Sequence, residues 1–411
     1  MADVELYILR LLVLLVGILC LSSATVQRKR KITIKEYQCP LNISKCENKN
    51  HSIIDVIAES DDNRSVIHYL WSIIGSPTII AAYFEKTDVV LKVNWTDILN
   101  EDSKEGIHFS EKSKYITAFV IPAIYEFQDP KDELFYTDVK GIITKHLFQA
   151  KNISWESPEV DHKHNMTTFK ASMLGGSVIF QCNASASQGT ESVLPHQKFT
   201  SNSTVFTLTL DGLKNLGKHT RFIFELVSFS IDKVSTCITA ERSLDDEHTP
   251  AVFKTIVVNS TGFTGTSYSA WKPVAYIKKT RSLDNQVPSW AYYENEHKYV
   301  KTQSCSSLPS SSSKQFHSIV HHLKGITFTS HGMNISFGQK KDGWYEVSHY
   351  LSWSAMVGYG RPEYDSFSTV VWIIIFVGFG APMLLIVISI VYIIAKKIKA
   401  KKTTTSYGMI N

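Results

Sequence analysis

The sequence predicts a mainly β protein in which luminal antiparallel β-sandwich lobes are followed by a single C-terminal transmembrane helix. Three observations carry this prediction. Short segments in the middle of the chain alternate apolar and polar residues with the period of two that is typical of strands. An apolar block lies at each end, and the second block is long enough to cross a bilayer. Asn-x-Ser/Thr triplets crowd the region between the blocks.

The N-terminal block is typical of a signal peptide. It reads "LYILRLLVLLVGILCLSSA" and ends in small residues before a predicted cut after Ala24. The apolar run is short for a membrane span, so we predict that residues 1–24 are a signal peptide. Because Asp3 and Glu5 offset Arg10, an uncleaved anchor is the alternative.

Alternating segments after the signal peptide read as antiparallel strands. The segment "TVFTLTL" places Phe206, Leu208 and Leu210 on one face and Thr207 and Thr209 on the other. The segment "RFIFELVSFSI" alternates in the same way, and "GSVIFQCNASA" and "DVVLKVNWT" are rich in β-branched residues. We therefore predict two packed β layers or lobes.

The lobe boundary is placed at the polar stretch "VDHKHNMTT". The first luminal lobe then covers residues 25–165 and the second covers residues 166–367. The second lobe contains "SCSSLPSSSS" at residues 304–313, a composition typical of a flexible surface loop.

The second apolar block contains no charged residue. At about 1.5 Å per residue it crosses a hydrocarbon core of about 30 Å, and we predict a transmembrane helix over residues 368–395. Gly380 and Pro382 are expected to bend this helix. A lysine-rich segment follows at once, which places the tail, residues 396–411, in the cytosol by the positive-inside rule. The larger part of the chain therefore lies on the luminal side.

The formal charge of +5 comes from the two ends of the chain. Residues 1–31 hold five basic and two acidic residues, and residues 396–411 hold five basic residues and no acidic one. The remainder carries 33 basic against 36 acidic residues, so we expect no nucleic-acid partner. The basic run "RKRK" at residues 28–31 is interpreted as a solvated arm, with a processing site as the alternative.

Ten of the sixteen asparagines stand in Asn-x-Ser/Thr triplets without a central proline. All ten precede the membrane helix, so topology and N-glycosylation agree on a luminal body. The predicted acceptors are Asn42, Asn50, Asn63, Asn94, Asn152, Asn165, Asn183, Asn202, Asn259 and Asn334.

Five cysteines remain after the signal peptide is removed. Cys39 and Cys46 close a small loop and are predicted to pair, as expected in an oxidising compartment. Three others remain, so one of them is free or pairs between chains.

The sequence contains no catalytic motif, and no catalytic residue, metal ligand or cofactor is predicted. His162 with His164, and His317 with His321 and His322, come nearest to metal-ligand spacing. They are interpreted as exposed polar loop residues.

An acidic run, Asp245, Asp246 and Glu247, offers the strongest hint of a carboxylate site. Consecutive acidic side chains on a strand point in alternate directions and do not converge. A solvated turn or a buried salt-bridge corner is therefore the preferred reading over a hydrolase or cation site.

The tail ends in "SYGMIN", in which Tyr407 is followed by two spacers and Ile410. An extended peptide of this kind offers an aromatic and an aliphatic side chain to two pockets of a clathrin adaptor. The position beside the membrane favours a sorting signal built on Tyr407 and Ile410.

Six irregular strings are spread from residue 67 to the C-terminus: "IHYLWSIIGSPT", "LKVNWTDIL", "RSLDDEHTPAVF", "WKPVAY", "HYLSWSAMVGYGRP" and "YGMIN". In this order they resemble the glycosylated lysosomal membrane protein family. Long strings are more specific than a catalytic pattern of two or three residues. Residues 25–60 and the Ser-rich loop do not match well, and Cys39 and Cys46 are not expected from the family.

The resemblance implies a heavily N-glycosylated type I lysosomal membrane protein without catalytic activity or cofactor. It also implies an accessory subunit that binds a lysosomal major-facilitator transporter of dipeptides and protects it from luminal proteases. Cys237 and Cys305 fall in matching neighbourhoods and become the second candidate bridge.

Three alternatives stay open. A membrane-tethered luminal hydrolase would need two converging carboxylates in a cleft, with Asp245 or Asp246 among them. The second alternative is a structural glycoprotein that only coats the lysosomal membrane with sugar. The third is a cell-surface receptor, which the candidate sorting signal in the tail argues against. Self-association of the chain is also left open.

Overall fold

The computed structural model describes residues 29–46, 51–129, 132, 145–217, 219–231, 236–242, 254–261, 265–293, 317–339, 341–342, 348–363 and 374–407. The predicted signal peptide and the Ser-rich loop lie outside these residues. The chain divides into two compact units. One is Gln27–Tyr364, and the other joins Met1–Val26 to Asp365–Asn411.

The Gln27–Tyr364 unit is built from antiparallel strands. In chain order they are β1 (Arg30–Gln38), β2 (Ser52–Ser60), β3 (Val66–Ser72), β4 (Thr78–Phe84), β5 (Leu91–Val93), β6 (Ile107–Phe109), β7 (Tyr115–Gln128), β8 (Lys145–Gln149), β9 (Glu159–Asp161), β10 (Met166–Met173), β11 (Gly176–Ala184), β12 (Gly189–Thr190), β13 (Lys198–Phe199), β14 (Ser203–Asp211), β15 (Thr220–Ser230), β16 (Thr236–Arg242), β17 (Lys254–Thr261), β18 (Thr266–Trp271), β19 (Val274–Tyr276), β20 (Gln286–Tyr293), β21 (Thr329–Phe337) and β22 (Tyr350–Tyr359).

The helices among the described residues of this unit are short. They are α1 (Trp95–Ile98) and the 3₁₀ turns Ser44–Cys46, Ala150–Asn152, Leu283–Asn285 and Ile319–His322. The prediction of a mainly β body is therefore confirmed.

Two sheets form a sandwich. Sheet 1 runs in the order β1, β2, β3, β4, β7, β15, β21, β20, and β8 pairs with the far end of β7. Sheet 2 runs in the order β9, β10, β11, β14, β22, β18, β17, β16. Strand β20 crosses between them, because its first residues pair with β19 at sheet 2 and its later ones with β21.

The core lies between the facing sides of the two sheets. Phe206, Leu208 and Leu210 of β14 point into it, as their alternation predicts, and so do Phe222, Phe224 and Leu226 of β15. Trp353 is fully buried at its centre, with its ring 5.7 Å from Phe206. Burial of aromatic side chains on this scale is a main contribution to the stability of such a sandwich.

A smaller core covers the outer face of sheet 1. Apolar side chains of β2, β3, β4 and β7 pack there against α1 and the 3₁₀ turn Ile319–His322. Strands β2, β3, β4 and β7 of sheet 1 are therefore buried on both faces, which explains their continuous apolar runs.

The predicted lobe boundary at residues 165 and 166 falls in the turn between β9 and β10, which pair within sheet 2. Sheet 1 takes β1–β4, β7 and β8 from the first half of the chain and β15, β20 and β21 from the second. The two halves of the chain are thus interleaved in one sandwich, since strands pair across the boundary.

The interpretation of the basic run as a solvated arm is wrong for Arg30. This residue opens β1 and is buried, and its Nε donates to Asn202 Oδ1 at 2.8 Å. Its Nη1 donates to the carbonyl oxygen of Ala58 at 3.0 Å. The guanidinium fastens the first strand of sheet 1 to the turn before β14.

The second unit is described from residue 374 onward. A π-helical turn, Phe376–Gly380, leads into α2 (Ala381–Tyr407). The π turn lies at the predicted bend, where Pro382 lacks the backbone N–H that a regular α-helix would use. Val377–Lys397 is long and apolar enough to span a membrane, and α2 continues through the lysines to Tyr407.

Candidate functional site

A hydrolase or metal site would need acidic or histidine side chains that converge in a cleft. Among the described residues, no group of three or more His, Cys, Asp or Glu side chains is placed to hold a metal ion. An open groove lies between residues 107–113 and 323–327, and Glu111 is the one acidic side chain in its described lining. Its carboxylate is paired with Lys86 at 2.9 Å. The acidic run at residues 245–247 lies outside the described residues.

Arg221 gathers three carboxylates at the ends of neighbouring strands. Its Nε donates to Asp129 Oδ2 at 2.7 Å, and its Nη2 bonds to Asp132 and lies 2.8 Å from Asp342 Oδ1. The carbonyl of Gln339 accepts from Nη2 at 3.0 Å. Burial raises the pKa of Asp342, and the bonds from Gln339 N–H and Arg221 partly offset this effect. The carboxylates are paired with a guanidinium and are not free to act on a substrate. We call this cluster the Arg221 clasp, because it ties the start of β15 to the segments that follow β7 and β21.

A buried pair, His68 and Asp55, joins β3 to β2. His68 Nδ1 lies 2.9 Å from Asp55 Oδ1, and neither side chain is exposed. The rings of Phe84 and Phe109 pack edge-on against the imidazole. The pair is closed to solvent and therefore cannot contact a luminal substrate.

The histidine groups divide into two kinds. His164 is exposed in the β9–β10 turn, with its Nδ1 2.6 Å from Asp161 Oδ2, as predicted for a polar loop. That interpretation is wrong for His322, which is fully buried with its ring 5.2 Å from the ring of His317. Both ring nitrogens of His322 lack a hydrogen-bond partner among the described residues. Burial lowers the pKa of His322 to about 4.

We expect the burial of His322 to make the folded protein less stable as the pH falls. Its folded-state pKa lies below the ordinary value of about 6.5, so protonation favours the unfolded chain. The free energy of unfolding should therefore fall by about 3 kcal/mol as the pH falls from 6.5 to 4. The variant His322→Leu should lose less stability over this range in thermal melts at each pH. Equal pH dependence in wild type and variant would contradict the assignment, and the exposed-site variant His162→Leu serves as the control.

Eight of the ten glycosylation triplets have their asparagine at least partly exposed. Asn50 lies outside the described residues, and Asn334 is buried. The exposed asparagines are Asn42, Asn63, Asn94 and Asn152. The partly exposed ones are Asn165, Asn183, Asn202 and Asn259.

The four partly exposed acceptors border one end of sheet 2. Asn165 and Asn183 flank the β10–β11 pairing, and Asn202 directly precedes β14. Asn259 lies in the same row, two strands from Gly358 of β22. Strand β22 also ends here, at Tyr359.

The cysteines follow the predicted pattern as far as they are described. A disulfide joins Cys39 to Cys46, with Cα atoms 5.8 Å apart. Cys182 is free and buried in the core. Cys237 lies on β16 and Cys305 lies outside the described residues, so their pairing stays a prediction.

In the tail, Tyr407 is the last residue of α2, and Ile410 lies outside the described residues. The sorting signal stays a prediction. An adaptor that binds an extended peptide would require the last helical turn to unwind, which costs little at a helix end rich in threonine.

Comparison with known proteins decides the family. The sequence model described as glycosylated lysosomal membrane protein matches residues 53–400 of this chain. The chain belongs to the glycosylated lysosomal membrane protein family. A relative from Xenopus laevis, glycosylated lysosomal membrane protein A, is 28% identical, with 97% of this chain and 98% of the relative covered. The Danio rerio relative is 25% identical with 85% of each chain covered, and the Homo sapiens relative is 24% identical with 78% and 79% covered.

Membership of the glycosylated lysosomal membrane protein family confirms the predicted location. The protein resides in the lysosomal membrane, has a C-terminal helix that can span it and holds its β-rich bulk in the lumen. The names of these relatives mention no enzyme activity.

Asn334 departs from the other acceptors of this family member. It lies on β21 between β15 and β20, and only 9% of it is exposed. Its Oδ1 is buried without a hydrogen-bond partner among the described residues. A glycan on this side chain would have to displace the packed surroundings.

We therefore expect Asn334 to carry no glycan in the folded protein. The variant Asn334→Gln should migrate like wild type on gels, whereas Asn152→Gln, at an exposed acceptor, should lose the mass of one glycan. Mass spectrometry of the peptide containing Asn334 checks this directly, and an occupied site would refute the burial argument.

Proposed function

We propose that this protein is a non-enzymatic accessory subunit that binds a lysosomal major-facilitator transporter of dipeptides and protects it from luminal proteolysis. The adaptor-binding tail delivers it, and the luminal sandwich and membrane helix make the contacts. The family membership supports the location, and the role is what the resemblance to this family implies.

The carrying observation is the row of glycosylation triplets at the end of sheet 2 where β22 ends. Asn165, Asn183, Asn202 and Asn259 border the same end as Gly358. Glycans clustered at one end of the sandwich can restrict protease access to the short luminal loops of a partner that docks beside them.

Two further observations support the proposal. The carboxylates around Arg221 and the Glu111 carboxylate are tied in ion pairs, which favours a binding role over hydrolysis. The membrane helix presents exposed apolar side chains, and Gly378 has open space around its Cα. Small residues such as Gly378, Gly380 and Ala381 allow close approach of a second helix.

The test is purification of the full-length protein from lysosomal membranes in mild detergent. A stoichiometric major-facilitator transporter should co-purify, and depletion of this protein should shorten the half-life of that transporter without changing its transcript. Inhibition of lysosomal proteases should restore the transporter. If no transporter co-purifies, the protein acts as a structural glycoprotein of the membrane alone. If the half-life of the transporter is unchanged after depletion, the protein does not protect it from proteolysis.

A further inference from the structure

The hairpin of β12 and β13 lies on the outer face of sheet 2. Leu194, in its loop, packs against Val274 and Tyr276 of β19. Arg281 Nη1 donates to the Leu194 carbonyl at 2.7 Å. The hairpin pairs only two residues on each strand and forms a sheet of its own. Phe199 of β13 packs against a second apolar cluster of sheet 2. The loop end of the hairpin is held by the Leu194 contact and the Arg281 guanidinium, which makes this end sensitive to a charge placed nearby.

Such a charge is available at Glu191. Its Oε2 is buried and has no hydrogen-bond partner among the described residues, and the same holds for the hydroxyl of Tyr276. Arg281 lies over the Tyr276 ring, and its Nη2 donates to the hydroxyls of Ser354 at 3.0 Å and Ser352 at 3.3 Å. An ionised carboxylate without hydrogen bonds is costly to bury, whereas a protonated carboxyl costs less and gains a donor.

The electrostatics agree with this geometry. Burial raises the pKa of Glu191 to about 7, although Arg281, the backbone bond with Gln197 and His196 act in the opposite direction. A raised carboxyl pKa means that the closed hairpin binds a proton more tightly than the open one. Closure is therefore favoured as the pH falls through about 7 and is fully favoured below the ordinary value of about 4.3.

The groups that face Glu191 come from three elements. Arg281 belongs to the loop after β19, and Tyr276 ends β19. His196 is on the hairpin itself, with its Nδ1 2.9 Å from the Glu191 carbonyl oxygen. The adjacent face of β14 and β22 presents serine and threonine hydroxyls, such as Thr207.

We propose that Glu191 makes the β12–β13 hairpin an acid-tightened cover, closed over the hydroxyl-lined face of sheet 2 in the lysosomal lumen and loosened at neutral pH. Exposed mobile loops are the preferred sites of proteolysis. A cover that tightens with acid withdraws this loop from proteases in the compartment where they are active. Closure of this hairpin does not require a transporter partner, so its pH response can be measured independently of the proposed function.

The test is amide hydrogen exchange of the full-length protein in detergent at pH 5.0 and 7.4, corrected for intrinsic exchange. In wild type, the amides of residues 191–199 should be at least about tenfold more protected at pH 5.0, as the raised pKa requires. In Glu191→Gln, which stays neutral, protection should be equal at both values. Glu159→Gln, at an exposed acid of β9, should keep the wild-type response.

Equal protection of wild type at the two pH values would overturn the proposal. So would a pH response that persists in Glu191→Gln and disappears in His196→Asn. The midpoint of the wild-type response gives a measurement that does not depend on a variant. A midpoint between about 5 and 7 supports Glu191, because the response spans its raised and ordinary pKa values, and a midpoint outside this interval excludes it.

Discussion

Replacing Arg221 with methionine is expected to destabilise the luminal unit by about 3–5 kcal/mol at neutral pH. Methionine fills similar space but leaves Asp129, Asp132 and Asp342 without the guanidinium that they share. These acids lie at the ends of β7 and β21, beside the start of β15, so repulsion between them would separate three neighbouring strands. Thermal melts of the full-length protein in detergent measure the effect.

The Arg221 prediction also has a pH dependence with a definite sign. Burial already raises the pKa of Asp342, and removal of Arg221 would raise it further. The carboxyl can then bind a proton in acid and lose its charge, so the loss of stability should be smaller at pH 5 than at pH 7.4. The exposed-site variant Arg361→Met should melt like wild type. A stable Arg221→Met protein at neutral pH would show that the cluster is not a clasp.

Replacing Tyr407 with alanine is expected to move the protein from lysosomes to the cell surface. The adaptor would lose the aromatic side chain that fills its first pocket, and such anchors carry most of the affinity of a short peptide. Ile410→Ala should have the same direction of effect through the second pocket. Surface biotinylation and lysosomal co-staining measure the distribution.

The control for the sorting prediction is Thr404→Ala, in the same helical tail but outside the signal. It should remain lysosomal. Retention of Tyr407→Ala in lysosomes would mean that another part of the chain directs transport. Because the tail variant leaves the luminal unit untouched, a mislocalised but folded protein would also separate sorting from stability.

Much of the architecture was predictable because it depends on local sequence patterns, namely apolar alternation, charge distribution and cysteine spacing. Alternation in β14 and β15 identified the faces that enter the core, since successive side chains on a strand point in opposite directions. The uncharged block and the lysines after it identified the membrane helix and its orientation. The short spacing between Cys39 and Cys46 was sufficient to suggest their bridge.

The buried charges were not predictable because their partners are distant in sequence. Arg30 follows a basic run that resembles a solvated arm, yet Asn202 accepts its hydrogen bond 172 residues later. Arg221 and Asp129 are 92 residues apart. A polar residue at an outward position of a strand gives no local sign that another part of the chain will cover that face.

By itself, the sequence determined the β-rich class, the membrane topology, the glycosylation triplets and the candidate sorting signal in the tail. Each of these depends on composition or on spacing within a few residues. The tertiary structure decided that the two halves of the chain share one sandwich, that Asn334 and His322 are buried, and that the hairpin residue Glu191 has a buried carboxyl oxygen. Burial depends on which strands pair across the whole chain. That pairing sets the environment, and with it the pKa and accessibility, of each side chain.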